Sequence, residues 1–392
     1  MKKLADDSRA LVMGTLAFTV SFAVWGLIAG VMPILKKDLQ LSATSASMLI
    51  AIPVLLGSLG RLPAGFLADK YGPKRVFTIL LAIICIPAFL LGFAHTYDQY
   101  KLIAVFLGLA GTSFAIGVPF VSRWFPAERQ GTVLGIYGAG NIGHSLAVFG
   151  GPAIASAFGL RWAFWIFSII TLVYAIIFAT QAKDAPAKKP PQSPTEAIAL
   201  FFKRPMTWLL SLLYFQTFGG FVALSIYMPL LLKETFNLSA SDAGFRTAMF
   251  VILATAARPL GGFCSDKLGS SRVVTASLLG LIPCGFILTS SDLGYFTVGA
   301  LGAAFCLGLG NGAVFKLVPH YFPAEVGTVT GLVGAAGGMG GFFPPLVLGY
   351  CRDHLGSYGP GFYCLSAFAL ICLVIFYFSM PRPKSESQVV LA

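Results

Sequence analysis

The sequence predicts an all-α integral membrane protein in which twelve transmembrane helices form two six-helix bundles related by a parallel pseudo-two-fold repeat. Three observations carry that prediction. The 392 residues are 57% hydrophobic and 11% charged, whereas an average soluble domain carries about 25% charged residues. The apolar residues fall in runs of about 20 or more, long enough to cross a hydrocarbon core. The second half of the chain also repeats the first.

The runs, bounded by charged or turn-forming residues, occupy approximately 11–35, 45–67, 76–94, 101–123, 131–157, 162–181, 207–232, 243–264, 273–290, 294–318, 326–350 and 360–380. The first, beginning at Leu11, is too long for a signal-peptide core and lacks a small-residue cleavage site after it, so it is expected to remain as a span. After the sixth run comes KDAPAKKPPQSPTEAIALFFKRP, Lys183 to Pro205, whose polar, Pro-rich composition predicts a cytoplasmic linker. The expected organisation is an N-terminal six-helix bundle over 1–182, a linker over 183–205 and a C-terminal six-helix bundle over 206–392.

Shifting the second half back by 197 residues lays it over the first. RLPAGFLADKYG from Arg61 meets RPLGGFCSDKLG from Arg258, FPAE at Phe125 meets FPAE at Phe322, and LSA at Leu41 meets LSA at Leu238. The stretch GAGNIG from Gly138 meets AAGGMG from Ala335. GAGNIG fits the dinucleotide spacing G-x-G-x-x-G, but no strand precedes it and no acidic residue follows before Asp184, so a nucleotide turn is excluded.

With the N-terminus inside, 18 of the 27 Lys and Arg residues fall in inner segments and 7 in outer ones. That asymmetry predicts cytoplasmic termini for an integral protein of the plasma (inner) membrane. It also accounts for the net charge of +12, which leaves no reason to invoke a nucleic-acid partner. The seven cysteines contain no CxxC pair and fall mostly within apolar runs, so neither a metal site nor a disulfide framework is expected. Without a metal-ligand cluster, a nucleophile–base pair or a phosphate loop in water, the chain reads as neither an enzyme nor a cofactor carrier.

Ionisable groups inside a membrane mark function. Arg61 and Arg258 each lie eight residues before an Asp, Asp69 and Asp266, at the inner boundary; at 1.5 Å per residue each is about 12 Å deep, near the middle of the bilayer. All 15 carboxylates fall at span ends, in loops or in tails. Two buried guanidinium groups with no carboxylate between them call for a visiting anion, whose planar oxygens match the arginine fork. The alternative is that the arginines snorkel or brace helices. On charge alone the anion is open: sugar phosphate, inorganic phosphate, nitrate or a small carboxylate.

A parallel repeat of six spans resembles the plan of major facilitator superfamily transporters, whose site lies between the halves near the midplane. The loop Gly65-Phe-Leu-Ala-Asp-Lys-Tyr-Gly-Pro-Lys-Arg75 resembles that superfamily's motif between spans two and three, and Gly262 to Arg272 is its degraded partner. GAGNIGHSLAVFGGP from Gly138 and GAAGGMGGFFPPLVLG from Gly334 resemble the two Gly-rich signatures of its nitrate/nitrite porter family, and GLGNGAVFKLVPHYFP from Gly308 resembles that family's span ten.

The resemblance implies a secondary active transporter of nitrate and/or nitrite working by alternating access as a monomer in the lipid bilayer. It implies that Arg61 and Arg258 clamp the anion, that Phe114, Tyr214 and Phe218 are pocket aromatics, and that Asn141 supplies a polar contact. Asp69 and Asp266 become parts of a cytoplasmic gate. The signature glycines, among them Gly138, Gly140, Gly143, Gly337, Gly338 and Gly340, let spans five and eleven approach other helices closely. Other readings are a transporter of phosphate, organophosphate or oxalate, and a nitrate receptor that does not transport. The lack of an intramembrane carboxylate favours nitrate/nitrite exchange, while His144 is the candidate for a proton co-ion. Lys316 is a second candidate cationic contact, or a snorkelling residue.

Overall fold

A computed structural model describes residues 6–126, 129–185, 204–322 and 326–380, and among them every regular element is helical. Among the described residues, eleven spans are long and apolar enough to cross a membrane: Asp6–Asp38, Ala43–Ala68, Pro73–Phe93, Tyr97–Ser122, Leu160–Gln181, Pro205–Phe236, Ala240–Leu268, Ser270–Ile287, Leu293–Val318, Val329–Leu355 and Gly359–Ser379. The twelfth, fifth in chain order, is built from Gln130–Gly138, a 3-10 turn at Ala139–Asn141 and Ile142–Phe158. These are called spans one to twelve below. The expected linker lies outside the described residues over 186–203, and span seven opens at Pro205, where a helix tolerates proline.

The repeat has local physical causes. LSA places Ser42 and Ser239 at equivalent helix starts in extended backbone; Ser42 accepts from the Ser45 amide and Ser239 from the Asp242 amide, so both cap the helices that carry the arginines. At the other end of those helices stand Gly72 and Gly269, at φ 89° and 87°, a backbone region unfavourable to any side chain. Each ends one helix and starts the next, Pro73 or Ser270. Span two breaks at Gly60, immediately before Arg61. The ring of Pro63 disfavours the carbonyl four residues earlier, which accounts for a break there.

The halves meet along two pseudo-equivalent helix pairs, span two against span eleven and span five against span eight. Small residues make both contacts close, as expected where lipid leaves packing and hydrogen bonds to hold helices together. A side chain on Gly349 would run into Ser47, and one on Gly244 into the Val148 carbonyl.

At the end remote from the linker, polar ties reinforce the junction. Lys36 of span one pairs with Glu234 of span seven. Tyr358 donates to the second oxygen of Glu234. The carboxylate of Asp353, in span eleven, accepts from the amides of Ala43 at 3.2 Å and Thr44 at 2.9 Å, the first turn of span two. Tyr227 and Ser47 share a hydrogen bond of 3.0 Å across the same seam.

Candidate anion site between the halves

Arg61 and Arg258 face the same central space, 2% and 4% exposed. Each has one face against aromatic rings. The guanidinium carbon of Arg61 lies 5.9 Å from the centroid of Phe114 and 5.2 Å from that of Phe218. That of Arg258 lies 5.4 Å from both Phe114 and Phe315. Phe114 is therefore shared by the two cations. Aromatic faces attract a guanidinium through the ring quadrupole while leaving its N–H edge free to donate.

The rings form one continuous wall. Tyr214 stacks on Phe218 with centroids 4.9 Å apart and planes 6° from parallel, and meets the edge of Phe315 at 4.7 Å. Phe315 in turn lies 5.6 Å from Phe114, and Phe114 lies 5.8 Å from Tyr137. Tyr214 and Phe218 share a face because they are four residues apart on one helix. Phe315 approaches them from span ten.

The N–H groups are incompletely used. Arg61 donates from Nε to the Gly111 carbonyl at 3.1 Å and from Nη1 to the Gly334 carbonyl. Arg258 donates from Nη2 to the Tyr214 hydroxyl at 3.3 Å, and its buried Nη1 has no partner. Among the described residues no ion pair involves either arginine. A buried charge without a counter-charge is costly by several kcal/mol, roughly, so the arrangement suits a small anion held at guanidinium edges between ring faces.

The Gly-rich segments seat these arginines crosswise. A Cβ on Gly138, in the first half, would lie 3.1 to 3.3 Å from the Arg258 side chain of the second. A Cβ on Gly338, in the second half, would lie 3.2 Å from Nη1 of Arg61 in the first. The other signature glycines pack within their own halves: Gly140 faces the Phe18 ring and Gly143 the Thr19 carbonyl of span one, while Gly337 faces the Tyr214 ring and Gly340 the Phe215 carbonyl of span seven.

Asn141 is buried, and its Oδ1 lacks a partner. It ends the 3-10 turn that interrupts span five. Gly138, which faces Arg258, is the residue immediately before that turn. His144 lies elsewhere. Its Nε2 is 3.1 Å from the Ser225 carbonyl of span seven, its ring is 5.9 Å from that of Trp25, and Nδ1 is buried without a partner. A carbonyl only accepts, so Nε2 carries the proton.

Of the two expected gate residues, the side chain of Asp69 lies outside the described residues. Asp266 pairs with Lys316 of span ten, which ties two helices of one half and directs Lys316 to a carboxylate instead of an anion. Sequence reasoning missed Phe315 and Tyr137. Phe315 stands inside the quoted span-ten segment and Tyr137 immediately before GAGNIG, but among 35 Phe and 13 Tyr nothing singles them out.

The family profile of the Major Facilitator Superfamily matches residues 14–315 and again 210–391, the second match restarting in span seven. The chain is similar to the "Nitrite extrusion protein" of Bacillus subtilis, at 40% identity over 96% of both chains. It is similar to the "Probable nitrate transporter NarT" of Staphylococcus carnosus, at 38% identity over 96% of this chain and 97% of that one. The "Probable nitrate/nitrite transporter NarK2" of Mycobacterium tuberculosis is 36% identical, again over 96% and 97%.

Two solved structures share the fold. The human organic anion transporter MFSD10 (TETRAN) superposes with a TM-score of 0.76 at 14% identity, covering 95% of this chain and all of that one. A bacterial homologue of the human lysosomal transporter Spinster, inward-facing and unoccupied, gives 0.73 at 18% identity, covering 96% and 97%. With this architecture, this coverage and these relatives, the chain belongs to the nitrate/nitrite porter family of the Major Facilitator Superfamily.

Proposed function

We propose that the chain is a secondary active transporter of nitrate and nitrite, not an enzyme, and that the anion binds between Arg61 and Arg258. One observation carries this reading: two buried guanidinium groups share the Phe114 ring, lack any carboxylate partner among the described residues, and leave Nη1 of Arg258 free. A flat monovalent anion is matched by ring faces above and below and by N–H donors at its edge. Tetrahedral phosphate and the longer oxalate fit a slot between rings less well. Asn141 adds a polar contact from the first signature. In this reading both termini face the cytoplasm, and the two bundles rock about the bound anion, exposing it to one side and then the other.

Moving a monovalent anion into an inside-negative cell costs about 2.3 kcal/mol per 100 mV, so uptake needs exchange or a co-ion. Exchange of nitrate for nitrite is the favoured coupling, because among the described residues no carboxylate pairs with the arginines to offer a proton site. Proton-coupled uptake is the second reading, and it rests on the unpartnered Nδ1 of His144.

The deciding experiment uses purified protein in liposomes and labelled nitrate. Accumulation that requires internal nitrite supports exchange; accumulation driven by an imposed proton gradient alone supports symport. Binding without accumulation under either condition makes the chain a receptor. Inhibition by unlabelled phosphate or oxalate at concentrations matching nitrate reassigns the substrate.

A further inference from the structure

Two free thiols meet inside the second half, away from the arginines. Span nine carries Gly280-Leu-Ile-Pro-Cys284 and span ten carries Gly302-Ala-Ala-Phe-Cys306, the same Gly-x-x-x-Cys spacing in both. Four residues is about one helical turn, so each cysteine stands on the face of its own glycine.

The two consecutive spans run antiparallel, and the pairing between them is reciprocal. A Cβ on Gly302 would meet Sγ of Cys284 at 2.8 Å, and a Cβ on Gly280 would meet Sγ of Cys306 at 2.7 Å. Each sulfur therefore occupies the space that the other helix leaves by having glycine there. Helical side chains lean toward the N-terminus, which in an antiparallel pair leans the sulfurs toward each other. The two thiols thus stand on facing turns of neighbouring helices, each packed against the other helix's glycine. The Cys284 thiol donates to the Gly280 carbonyl at 3.1 Å.

Among the described residues no group of three or more His, Cys, Asp or Glu side chains is placed to hold a metal, so the pair is not part of a larger ligand set. What remains is the two-electron chemistry of a dithiol. We propose that Cys284 and Cys306 form an oxidisable pair that a small neutral peroxide converts to a disulfide joining spans nine and ten.

One sulfur, as thiolate, attacks a peroxide oxygen; the O–O bond breaks, a sulfenic acid forms, and the departing oxygen leaves as water with the thiol's proton. The second sulfur then attacks the sulfenic sulfur. The S–S bond forms and the S–O bond breaks, and a second water carries away the hydroxyl and the remaining thiol proton. Two thiols lose two electrons and two protons, and one peroxide becomes two waters.

Position favours the outcome. Cys306 is half-buried in the middle of Leu293–Tyr321, next to Phe305, which is 39% exposed on the outer surface of the bundle. A neutral peroxide can reach such a site, whereas charged thiol reductants do not enter a hydrocarbon core. The disulfide, once formed, is shielded from reversal.

The test oxidises the full-length protein in liposomes with hydrogen peroxide, then unfolds, alkylates and digests it for mass spectrometry. The expected product is a Cys284–Cys306 linked peptide, lighter than its two thiol parents by two hydrogen atoms and released by dithiothreitol. It should be absent from Cys284→Ser and from Cys306→Ser. In Gly302→Ala, whose added methyl displaces the Cys284 sulfur, its yield should fall several-fold in protein with unchanged circular dichroism. Recovery of both thiols as alkylated peptides, or separate over-oxidation of either to sulfinic acid, would overturn the proposal.

Discussion

Arg61, in the first six spans, donates Nη1 to the main-chain carbonyl of Gly334 in the last six. The buried cation of one half is thus held by the backbone of the other, at the start of the second Gly-rich signature. A side chain at Gly334 would be 3.9 Å from the same nitrogen, and one at Gly338 would be 3.2 Å away. The fork is fixed by what surrounds it as much as by its own helix.

Lysine cannot reproduce that geometry. Arg61→Lys loses the split donation to Gly111 and Gly334 and keeps only the charge. A hydrogen bond involving a charged group is worth about 1.5 to 3 kcal/mol, so nitrate affinity should fall by about tenfold or more, and Arg258→Lys should behave alike. Equilibrium binding of nitrate to purified protein measures this; wild-type affinity in both variants removes the clamp.

Gly138→Ala tests the crosswise seat directly. Its methyl would lie 3.1 to 3.3 Å from Nε, Cζ and Cδ of Arg258, closer than side chains normally approach. The guanidinium must shift by a few tenths of an ångström, and nitrate transport should drop several-fold with little change in melting temperature. Gly331→Ala, which meets nothing within 4 Å, is the control expected to transport normally.

Removing the ring that both arginines share should uncouple them. Phe114→Leu keeps apolar volume but no ring face, and cation–π contacts in desolvated sites are worth about 2 kcal/mol. Nitrate affinity should weaken by about tenfold. Phe315→Leu, which strips the face from Arg258 alone, should have the smaller effect. Comparable binding by Phe114→Leu and wild type would mean the rings only pack.

His144→Gln separates two roles for that residue. Because Nε2 already holds its proton toward Ser225, and Nδ1 faces the backbone of Gly26, a proton added at Nδ1 would find no hydrogen-bond acceptor beside it. Transport by His144→Gln should keep the wild-type pH profile, with stability lowered by about 1 kcal/mol for the altered bond. A displaced profile would instead assign proton handling to His144.

At the far end of the bundles, Asp353→Ala should loosen the seam. It removes acceptors for the Ala43 and Thr44 amides at the start of span two, where loss of such a cap costs about 1 kcal/mol. A cysteine introduced at the buried Ser47 should then react faster with a membrane-impermeant thiol reagent. Unchanged reactivity would show that this contact does not hold the end shut.

Much of the fold was legible because membrane physics writes it in long apolar runs, and because motifs repeat at fixed offset. LSA at Leu41 and Leu238, and the glycines ending DKYG and DKLG, were legible as a repeat, while their roles as caps and positive-φ turns emerged only with the backbone. The two arginines stood out as charges where charge is expensive. Less legible was everything held by main chain or by packing. The Gly111 and Gly334 carbonyls have no sequence signal, and one ring in a chain rich in phenylalanine carries none either, so Phe315 and Tyr137 surfaced only when the helices were assembled. Lys316 was ambiguous for a related reason: its partner, Asp266, lies fifty residues away on another helix.

The crosswise seating has an evolutionary corollary. Gly138 and Arg258, and likewise Gly338 and Arg61, are neighbours encoded in opposite halves of the gene. A hybrid joining the first six spans of one relative to the last six of another inherits only one member of each pair from each parent. Such hybrids should work when both parents keep the glycines and fail when one has drifted there, and restoring the single missing glycine should rescue them. The halves look like duplicated modules, but at this junction they cannot change independently.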